Sequence, residues 1–393
     1  MKDEKKAPKL RFKGFTDDWE QVKYGEIFQR RSKMGVSTPT LPSVEYDDIN
    51  PGMGTLNKEP KSKGIGKRGI YFNPGDVLFG KLRPYLKNWL FACFEGVAVG
   101  DFWVLTSSKI DHGFTYSLIQ TPGFQYIANL SSGSKMPRSD WGLVSNARTF
   151  IPINHLEQER ISSVLFGLDH AITLHEEKKR QLERLKSALM QKMFADKSGY
   201  PAVRFYGFSD KWEKRKLGDI FEERIEKSHN GSEELLSVTL KDGVVKAESL
   251  DRKNNASHDK RNYKLVFPND IAYNSMRMWQ GALGVSKYNG IVSPAYTIIK
   301  LKNQLENPCF YQNYFKKYEI LNVFRKSSQG LTSDTWNLKY PLFSRIHLFT
   351  TSSAEQQNIS SLLTLLDYNI ALHGYKLELL KKIKKFLLQS MFI

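Results

Sequence analysis

Cysteine is nearly absent from this chain, which has only Cys93 and Cys309 among 393 residues. Two thiols cannot build the disulfide framework of a small secreted domain, and they exclude a cysteine-rich zinc site. Apolar runs are short as well, and none approaches the roughly 18 to 20 residues that cross a bilayer. The first residues are charged and no apolar segment follows them, so no secretory signal is visible. We expect a cytoplasmic protein without a membrane segment.

Acidic residues are also in deficit. The chain has 41 Asp and Glu against 59 Lys and Arg, which gives a net charge of +18 and a pI near 9.5. So basic a protein is expected to bind a polyanion. Hydrophobic residues make up 40% of the sequence, which is enough for folded cores, and the length favours two domains.

An internal duplication organises the rest of the sequence. The segments 8–28 and 201–221 agree at 12 of 21 aligned positions, and the segments 156–194 and 354–392 agree at 18 of 39. The residues between these flanks differ far more. We therefore expect two similar scaffolds that carry two different surfaces.

Each copy closes with a heptad pattern, in which apolar residues recur at alternating spacings of four and three. Such a pattern gives a helix one apolar stripe, which a long isolated helix cannot bury by itself. We expect the two helices to pair antiparallel, with His175 and His373 as a register-setting polar contact. The predicted helix-pairing seam consists of Ile161, Leu165, Leu168, Ile172, Leu182, Leu189, Ile359, Leu363, Leu366, Ile370, Leu380 and Leu387.

Between these helices the sequence favours short strands punctuated by Gly and Pro, with helices over 114–129 and 308–324. The predicted fold class is α+β, with two globular domains related by a pseudo-twofold axis. The predicted segments are a first globular domain (1–154), a central long helix (155–196), a second globular domain (197–353) and a C-terminal long helix (354–393).

No convincing catalytic centre is visible. The stretch 75–82 resembles a GxxxxGK[ST] phosphate loop, but Leu82 replaces the hydroxyl that holds magnesium, and Val77-Leu78-Phe79 is typical of a strand. The stretch 307–310 resembles the Asn-Pro-Pro-Tyr motif of amino-methyltransferases but lacks its second proline. The eight histidines show no metal-ligand spacing. We predict that the chain has no catalytic residue and binds no metal or cofactor.

Basic residues interleaved with aromatic and small polar residues form two pairs of loops, 81–89 with 274–280 and 131–139 with 325–333. Lys and Arg suit phosphate oxygens, and Arg, Gln and Asn are the usual readers of base edges. These loops favour DNA binding. The candidate DNA-binding residues are Lys81, Arg83, Tyr85, Lys87, Ser134, Lys135, Arg138, Arg277, Trp279, Arg325, Lys326, Ser328 and Gln329.

Along essentially its whole length the chain resembles the specificity (S) subunits of type I restriction–modification enzymes. The resemblance rests on the R-F-x-G-F-x-D-x-W-E openings at 11–20 and 204–213, the Pro-Gly-Asp turn at 74–76 and Arg83-Pro84. The two E-Q…L-D…Q-x-M-F closing helices complete it. The second copy departs from the pattern at Pro268-Asn269-Asp270 and Arg277-Met278.

The resemblance implies that each globular domain is an α/β target recognition domain that reads one half of a bipartite, asymmetric double-stranded DNA sequence. The long antiparallel helices are then a coiled coil that fixes the unread spacer and binds two modification subunits, which use S-adenosylmethionine to methylate adenine. Restriction subunits, which use ATP and Mg²⁺ and cut DNA, join the larger complex. This chain itself supplies recognition without catalysis.

Two other functions are compatible with the residues. A stand-alone nuclease or methyltransferase with diverged motifs would act on DNA without partner subunits. A coiled-coil scaffold for proteins, with non-specific DNA affinity, would protect DNA without regard to its sequence.

Overall fold

The chain forms two units, each of which combines a globular part with segments of both long helices. In the computed structural model, which describes residues 6–57, 59, 65–130, 136–251, 257 and 259–393, unit 1 comprises Met1–Lys178 and Leu372–Ile393, and unit 2 comprises Lys179–Ala371. These units divide both long helices, whereas the predicted boundaries keep each helix whole. The four-segment division stays a prediction.

Unit 1 contains short strands and helices in its globular part. Its strands are β1 (Glu20–Lys23), β2 (Gln29–Arg30), β3 (Met34–Val36), β4 (Ser43–Val44), β5 (Ile49–Asn50), β6 (Thr55–Leu56), β7 (Arg68–Phe72), β8 (Val77–Gly80), β9 (Trp89–Phe91), β10 (Gly96–Ala98), β11 (Phe102–Thr106) and β12 (Arg148–Ile151). Its helices are α1 (Tyr24–Ile27), α2 (His112–Leu118), α3 (Pro122–Ala128), α4 (Trp141–Asn146) and the first part of the long helix α5 (His155–Lys192).

Unit 2 has a related arrangement, with ten strands in its described residues against twelve in those of unit 1. Its strands are β13 (Glu213–Lys216), β14 (Phe221–Glu223), β15 (Leu236–Thr239), β16 (Gly243–Lys246), β17 (Lys264–Val266), β18 (Ile271–Asn274), β19 (Leu283–Val285), β20 (Gly290–Val292), β21 (Tyr296–Leu301) and β22 (His347–Thr350). Its helices are α6 (Leu217–Ile220), α7 (Pro308–Phe315), α8 (Tyr318–Ser327), α9 (Tyr340–Phe343) and the first part of the long helix α10 (Ser353–Ser390), whose last part belongs to unit 1.

A four-stranded antiparallel sheet lies at the centre of each unit, in the order β2-β11-β8-β9 in unit 1 and β14-β21-β18-β19 in unit 2. In β8, Val77 and Phe79 pack in one apolar cluster and Leu78 in another, because successive side chains of a strand point to opposite faces. The same alternation separates Ile271 from Ala272 in β18. Each central strand is therefore covered on both sides, and the predicted strand at 77–79 is confirmed.

A buried ion pair ties the opening segment of each copy to the start of its closing helix. Arg11 donates from Nε and Nη2 to the two carboxylate oxygens of Glu157, at 2.6 and 2.8 Å. Arg204 repeats the contact with Glu355, at 2.7 and 2.8 Å. Both carboxylates lie in fully buried residues, where only a well-made ion pair offsets the loss of hydration. These repeated motif residues therefore hold the opening segment against the long helix in each copy.

The two long helices form as predicted, each with 38 residues. In unit 1, Asp169 of α5 pairs with Lys384 of α10, and Glu176 pairs with Lys381. Residue numbers thus rise along one helix where they fall along the other, which confirms antiparallel pairing within this unit. His175 and His373 also meet there, with their Nδ1 atoms 2.8 Å apart.

Two predicted helices are each broken into two. The segment 114–129, expected as one helix, contains the end of α2 and all of α3. A second helix starts here because Thr121 caps the N-terminus of α3 and Pro122 occupies its first turn. The helix expected over 308–324 is interrupted between α7 and α8, where Lys317 adopts an extended backbone. The prediction of one continuous helix in each of these segments was therefore wrong, because a capping residue starts a second helix in each.

Candidate nucleic-acid interface

The loop between β8 and β9 of unit 1 is built on a strained backbone. Arg83 (φ 50°) and Lys87 (φ 60°) are both left-handed and flank a 3₁₀ turn at Pro84–Leu86. A left-handed conformation costs a residue other than glycine roughly 1 to 2 kcal/mol, and such strain clusters at functional sites. The turn therefore holds an unusual shape at some expense of stability.

Backbone hydrogen bonds fix this loop on both sides. The Arg83 N–H donates to the Pro137 carbonyl, and the Lys87 carbonyl accepts from the Gly52 N–H, both at 2.8 Å. Between them, Tyr85 is 54% exposed. The loop thus presents two cations and one aromatic ring to solvent, which suits contacts with phosphates and bases.

Arg138 lies beside this loop, where it forms a β-bridge with Leu82. Its guanidinium pairs with Asp101 at 2.8 Å, and Lys81 lies 3.7 Å from the same carboxylate. The Tyr46 hydroxyl donates to the Asp101 carbonyl, and burial raises the pKa of Tyr46 to about 12. Sequence reasoning missed Asp101, which offsets part of the positive charge at this site and is distant from the loop in the chain.

The equivalent loop of unit 2 has different chemistry. Arg277 has an ordinary backbone (φ −128°), and Gly281 takes the left-handed position after the turn at 278–280. Trp279 is half-buried, donates from Nε1 to the Met276 carbonyl at 3.1 Å and packs edge-on against Trp336. The aromatic ring is therefore part of the loop's own packing.

Helix α8 packs against the turn at 278–280 and ends in the predicted basic loop. Arg325 and Lys326 are exposed in its last turn. The Ser328 hydroxyl donates to the Phe324 carbonyl at 2.8 Å. Gln329 forms a backbone bridge with Asn337, which leaves its exposed side chain available.

The structure brings Lys81, Arg83, Tyr85, Lys87 and Arg138 together in unit 1. In unit 2 it places Arg277 and Trp279 beside the helix that carries Arg325 and Lys326. Ser134 and Lys135 lie outside the described residues. DNA contact by any of these side chains stays a prediction.

No family model matches the chain, and no curated protein matches it. Among solved structures, the chain is similar to the S subunit of a type I restriction–modification system from M. genitalium. That likeness covers 98% of this chain and 99% of the other, with a TM-score of 0.62 and 14% identity. The chain has the S-subunit fold.

Two further structures match at lower TM-scores. One is the HsdS subunit from Thermoanaerobacter tengcongensis, with 16% identity, coverage of 95% of this chain and 96% of the other, and a TM-score of 0.44. The other comes from work on complex assembly and conformational transition of the type I R-M system, with 15% identity, coverage of 95% and 97%, and a TM-score of 0.49. These TM-scores are too low to carry an argument.

Within this S-subunit fold, none of the predicted seam residues is exposed; each is buried or half-buried. The buried members are Ile161, Leu165, Ile172, Ile359, Leu363 and Leu366, and the half-buried members are Leu168, Leu182, Leu189, Ile370, Leu380 and Leu387. Ile161 and Leu165 share an apolar cluster with Trp19 of the globular part. Part of the seam therefore packs against the globular part, and pairing of the seam residues across the two helices stays a prediction.

Neither a metal centre nor a membrane span emerges from the part of the chain that the structure describes. Its His, Cys, Asp and Glu residues form no group of three or more that could hold a metal ion. None of its helices combines the length and apolarity needed to cross a bilayer.

Proposed function

We propose that this chain is the DNA-recognition subunit of a type I restriction–modification system. Each unit reads one half of a bipartite, asymmetric target, and the long helices fix the spacer between the halves. Modification subunits methylate adenine with S-adenosylmethionine, and restriction subunits use ATP and Mg²⁺ to cut DNA. The single observation that carries the proposal is the S-subunit fold, matched over 98% of the chain.

The difference between the two loops supports an asymmetric target. At matching places, unit 1 presents Arg83, Tyr85 and Lys87, whereas unit 2 presents Arg277 and packs Trp279 into its own structure. A net charge of +18 supplies affinity for any DNA through phosphate contacts. Sequence choice then depends on the few side chains that reach base edges.

The loop of unit 1 is tested by Arg83→Asn, because Asn tolerates the left-handed backbone and removes only the charged group. A base contact predicts a loss of about 1 to 3 kcal/mol on the cognate target and relaxed choice at one base pair. A phosphate contact predicts a uniform loss and a salt slope that falls by about one. The matched control is Arg180→Ala, an exposed residue of α5. Equal effects of both variants on DNA affinity in salt-controlled titrations would show that Arg83 does not contact the DNA.

The spacer is tested with duplexes whose central segment is lengthened by one base pair. If the helices fix the separation of the two half-sites, the longer spacer lowers both affinity and methylation in the assembled complex. Unchanged binding and methylation contradict this role of the helices. The same duplexes distinguish a non-specific scaffold, which protects every duplex equally.

An exposed apolar stripe on α10 supports docking of a protein partner. In unit 1, Tyr375, Leu379, Ile383 and Phe386 recur at spacings of four, four and three, and all are exposed. Contiguous exposed apolar surface of this kind marks interaction sites. We expect Phe386→Asp to reduce co-purification with the modification subunit, whereas Lys376→Gln, which changes the charge by the same amount, does not.

The chain alone is expected to be inactive. Purified chain incubated with DNA and either S-adenosylmethionine or Mg²⁺ gives neither methylated nor cut DNA, and methylation appears on addition of modification subunits. Methylation or cleavage by the chain alone would instead support the stand-alone enzyme. Methylome sequencing of a host with and without the chain identifies the target.

A further inference from the structure

The loop 329–337 of unit 2, which follows α8, holds an apolar side chain in solvent. Leu331 is 101% exposed, so no described residue covers it. A lone exposed leucine is common on protein surfaces. This leucine differs from the ordinary case in the rigidity of the loop that carries it and in the charge of its surroundings.

Backbone hydrogen bonds close the loop at its base. The Gln329 N–H donates to the Asn337 carbonyl at 3.0 Å, and the Asn337 N–H donates to the Gln329 carbonyl at 2.7 Å. Within the loop, the N–H and the hydroxyl of Thr335 both donate to the Thr332 carbonyl at 3.0 Å. Leu331 therefore lies at the tip of a closed turn whose backbone is already fixed.

Gly330 lets two parts of the loop approach closely just before Leu331. Its φ of 142° is one that residues with a side chain rarely adopt, and an added Cβ would lie 2.6 Å from the carbonyl oxygen of Thr335. Only glycine permits so close an approach. The contact between Gly330 and Thr335 holds the backbone beside Leu331, whose side chain stays outside the turn.

The loop is also supported by the core of unit 2. Trp336 packs edge-on against Trp279 of the 278–280 turn, with ring centroids 5.3 Å apart. Leu338, just after the loop, is fully buried, and its N–H donates to the Ser275 carbonyl at 2.8 Å. A side chain on a preorganised support binds its ligand without the entropic cost of ordering the loop.

Cations flank this loop on both sides. Arg325 and Lys326 are exposed in the last turn of α8, and Lys339 is exposed shortly after the loop. Asp334 is the only acidic residue in the segment 325–339. DNA offers phosphates for the cations and an apolar base stack for the leucine, whereas an apolar protein surface offers only the second. The charges therefore favour duplex DNA as the ligand of the loop.

We propose that Leu331 inserts between two base pairs of the DNA that unit 2 binds and kinks the duplex at that step. This inference rests on the proposed function and adds a mode of contact to it. Leucine is one of the apolar side chains that part a base step in DNA-bending proteins. Pyrimidine–purine steps part most easily, so Leu331 contributes to sequence choice without a hydrogen bond to a base edge.

The insertion is tested with the full chain and the target duplex that methylome sequencing identifies. Fluorophores on the two ends of the duplex report a kink by energy transfer. 2-Aminopurine, which becomes more fluorescent when it is unstacked, replaces one adenine at a time in each half-site. Modification subunits are left out, so that any unstacking belongs to this chain. We expect the unchanged chain to shorten the end-to-end distance and to raise the fluorescence beside one base step.

Substitutions of Leu331 separate the side chain from its loop. Leu331→Ala removes the kink and weakens binding about tenfold, because the side chain no longer buries its apolar surface between bases. Leu331→Met retains both effects, since methionine is also an inserting residue. The matched control is Leu305→Ala, which truncates a 76% exposed leucine before α7 and leaves affinity and energy transfer unchanged. Because Leu331 is fully exposed, its substitution leaves the fold intact.

Two results overturn the inference. In the first, Leu331→Ala and Leu305→Ala give the same affinity and the same energy transfer, so the side chain makes no difference to the bound duplex. In the second, Leu331→Ala binds and kinks the target normally but no longer co-purifies with the modification subunit, which assigns the loop to a protein partner.

Failure of the insertion is distinguishable from failure of the proposed function. If Leu331→Ala binds and kinks the target like the unchanged chain while Arg83→Asn loses affinity, the insertion fails and sequence recognition stands. If the host methylome contains no target and the chain protects every duplex equally, the proposed function fails and the insertion fails with it.

Discussion

Units 1 and 2 share the contacts that hold their scaffolds and differ in the polar contacts beside the long helices. In both units, an arginine side chain forms an ion pair with a buried aspartate that lies at the end of a tight turn. Arg31 Nε lies 2.5 Å from Asp76, and Arg224 Nε lies 2.7 Å from Asp270. This duplicated contact has nearly the same geometry in each copy, because the same residue types occur at matching places.

The Lys–Asp pair at the helices shows how the copies diverge. In unit 1, Lys384 donates to Asp169 at 2.5 Å and to Gln120 Oε1 at 2.6 Å. Its side chain and that of Asp169 are only 11% and 10% exposed. Burial raises the pKa of Asp169, while the nearby ammonium of Lys384 opposes that rise. The pair is therefore a buried ion pair whose stability depends on both partners.

Unit 2 has the same pair in a more open setting. Lys186 lies 2.5 Å from Asp367, with side chains 26% and 53% exposed. Lys316 stands at the position that matches Gln120, and burial together with repulsion by Lys186 lowers the pKa of Lys316. One changed neighbour thus replaces a hydrogen-bond acceptor by a like charge. The same pair of residue types can therefore contribute differently to the free energy of unfolding in the two units.

The largest expected effect comes from removing one partner of each pair. Lys384→Met leaves the Asp169 carboxylate buried and uncompensated, and we expect unit 1 to lose about 3 to 5 kcal/mol. Lys186→Met frees a carboxylate that water already reaches, and we expect a loss of less than about 1 kcal/mol. Hydrogen exchange of the helix amides measures each unit separately. Equal losses of stability in the two variants would contradict the predicted difference between the two ion pairs.

A second contrast concerns the matching tryptophans. Trp212 Nε1 donates to Glu355 at 3.1 Å, whereas Trp19 Nε1 is buried without a partner among the described residues. Both rings pack on a phenylalanine near a long-helix end, Phe392 at 6.3 Å in unit 1 and Phe194 at 6.4 Å in unit 2.

Trp→Phe substitutions separate the hydrogen bond from the packing. Both variants lose similar apolar contact, but only Trp212→Phe also loses a hydrogen bond to a charged group. We expect Trp212→Phe to cost about 1.5 kcal/mol more than Trp19→Phe, measured by denaturant unfolding with hydrogen exchange to assign each unit. A larger cost for Trp19→Phe would show that its indole N–H has a partner that compensates its burial.

The sequence predicted the parts of the fold that depend on repeated patterns. The heptads predicted α5 and α10, and the apolar run at 77–79 predicted β8, because periodicity reports which faces are buried. The breaks before α3 and α8 were missed, since they depend on capping residues within otherwise helical patterns. Charge in the basic loops was visible, but Asp101 was not, because its contact with Arg138 spans 37 positions in the chain.

A third test compares the two tight turns. Gly75 (φ 88°) and Asn269 (φ 73°) occupy the same left-handed position. An added Cβ at Gly75 would lie 3.1 Å from the His112 ring, so Gly75→Ala adds contact as well as backbone strain, and we expect a loss of about 1 to 2 kcal/mol. Asn269→Gly stays within about 0.5 kcal/mol, because both residues adopt this conformation. Thermal unfolding of both variants measures the difference, and a similar loss in each would contradict it.

The smallest effect concerns the histidine pair, which belongs to unit 1 alone. The contact between His175 and His373 needs one Nδ1 to donate and the other to accept, so a second proton breaks it. Burial lowers the pKa of His373, and His175, Lys376 and Lys178 lower it further. The unfolded chain therefore takes up a proton at a higher pH than the folded chain. The contribution of this contact to stability is fully present above the usual pKa of about 6.5 and falls as the pH drops below it.

Because His373 is partly exposed, we expect this contribution to the free energy of unfolding to be only a few tenths of a kcal/mol. Hydrogen exchange in unit 1 on either side of that pH measures the slope, and His373→Asn should remove it. A slope that survives in His373→Asn assigns the pH dependence to other groups.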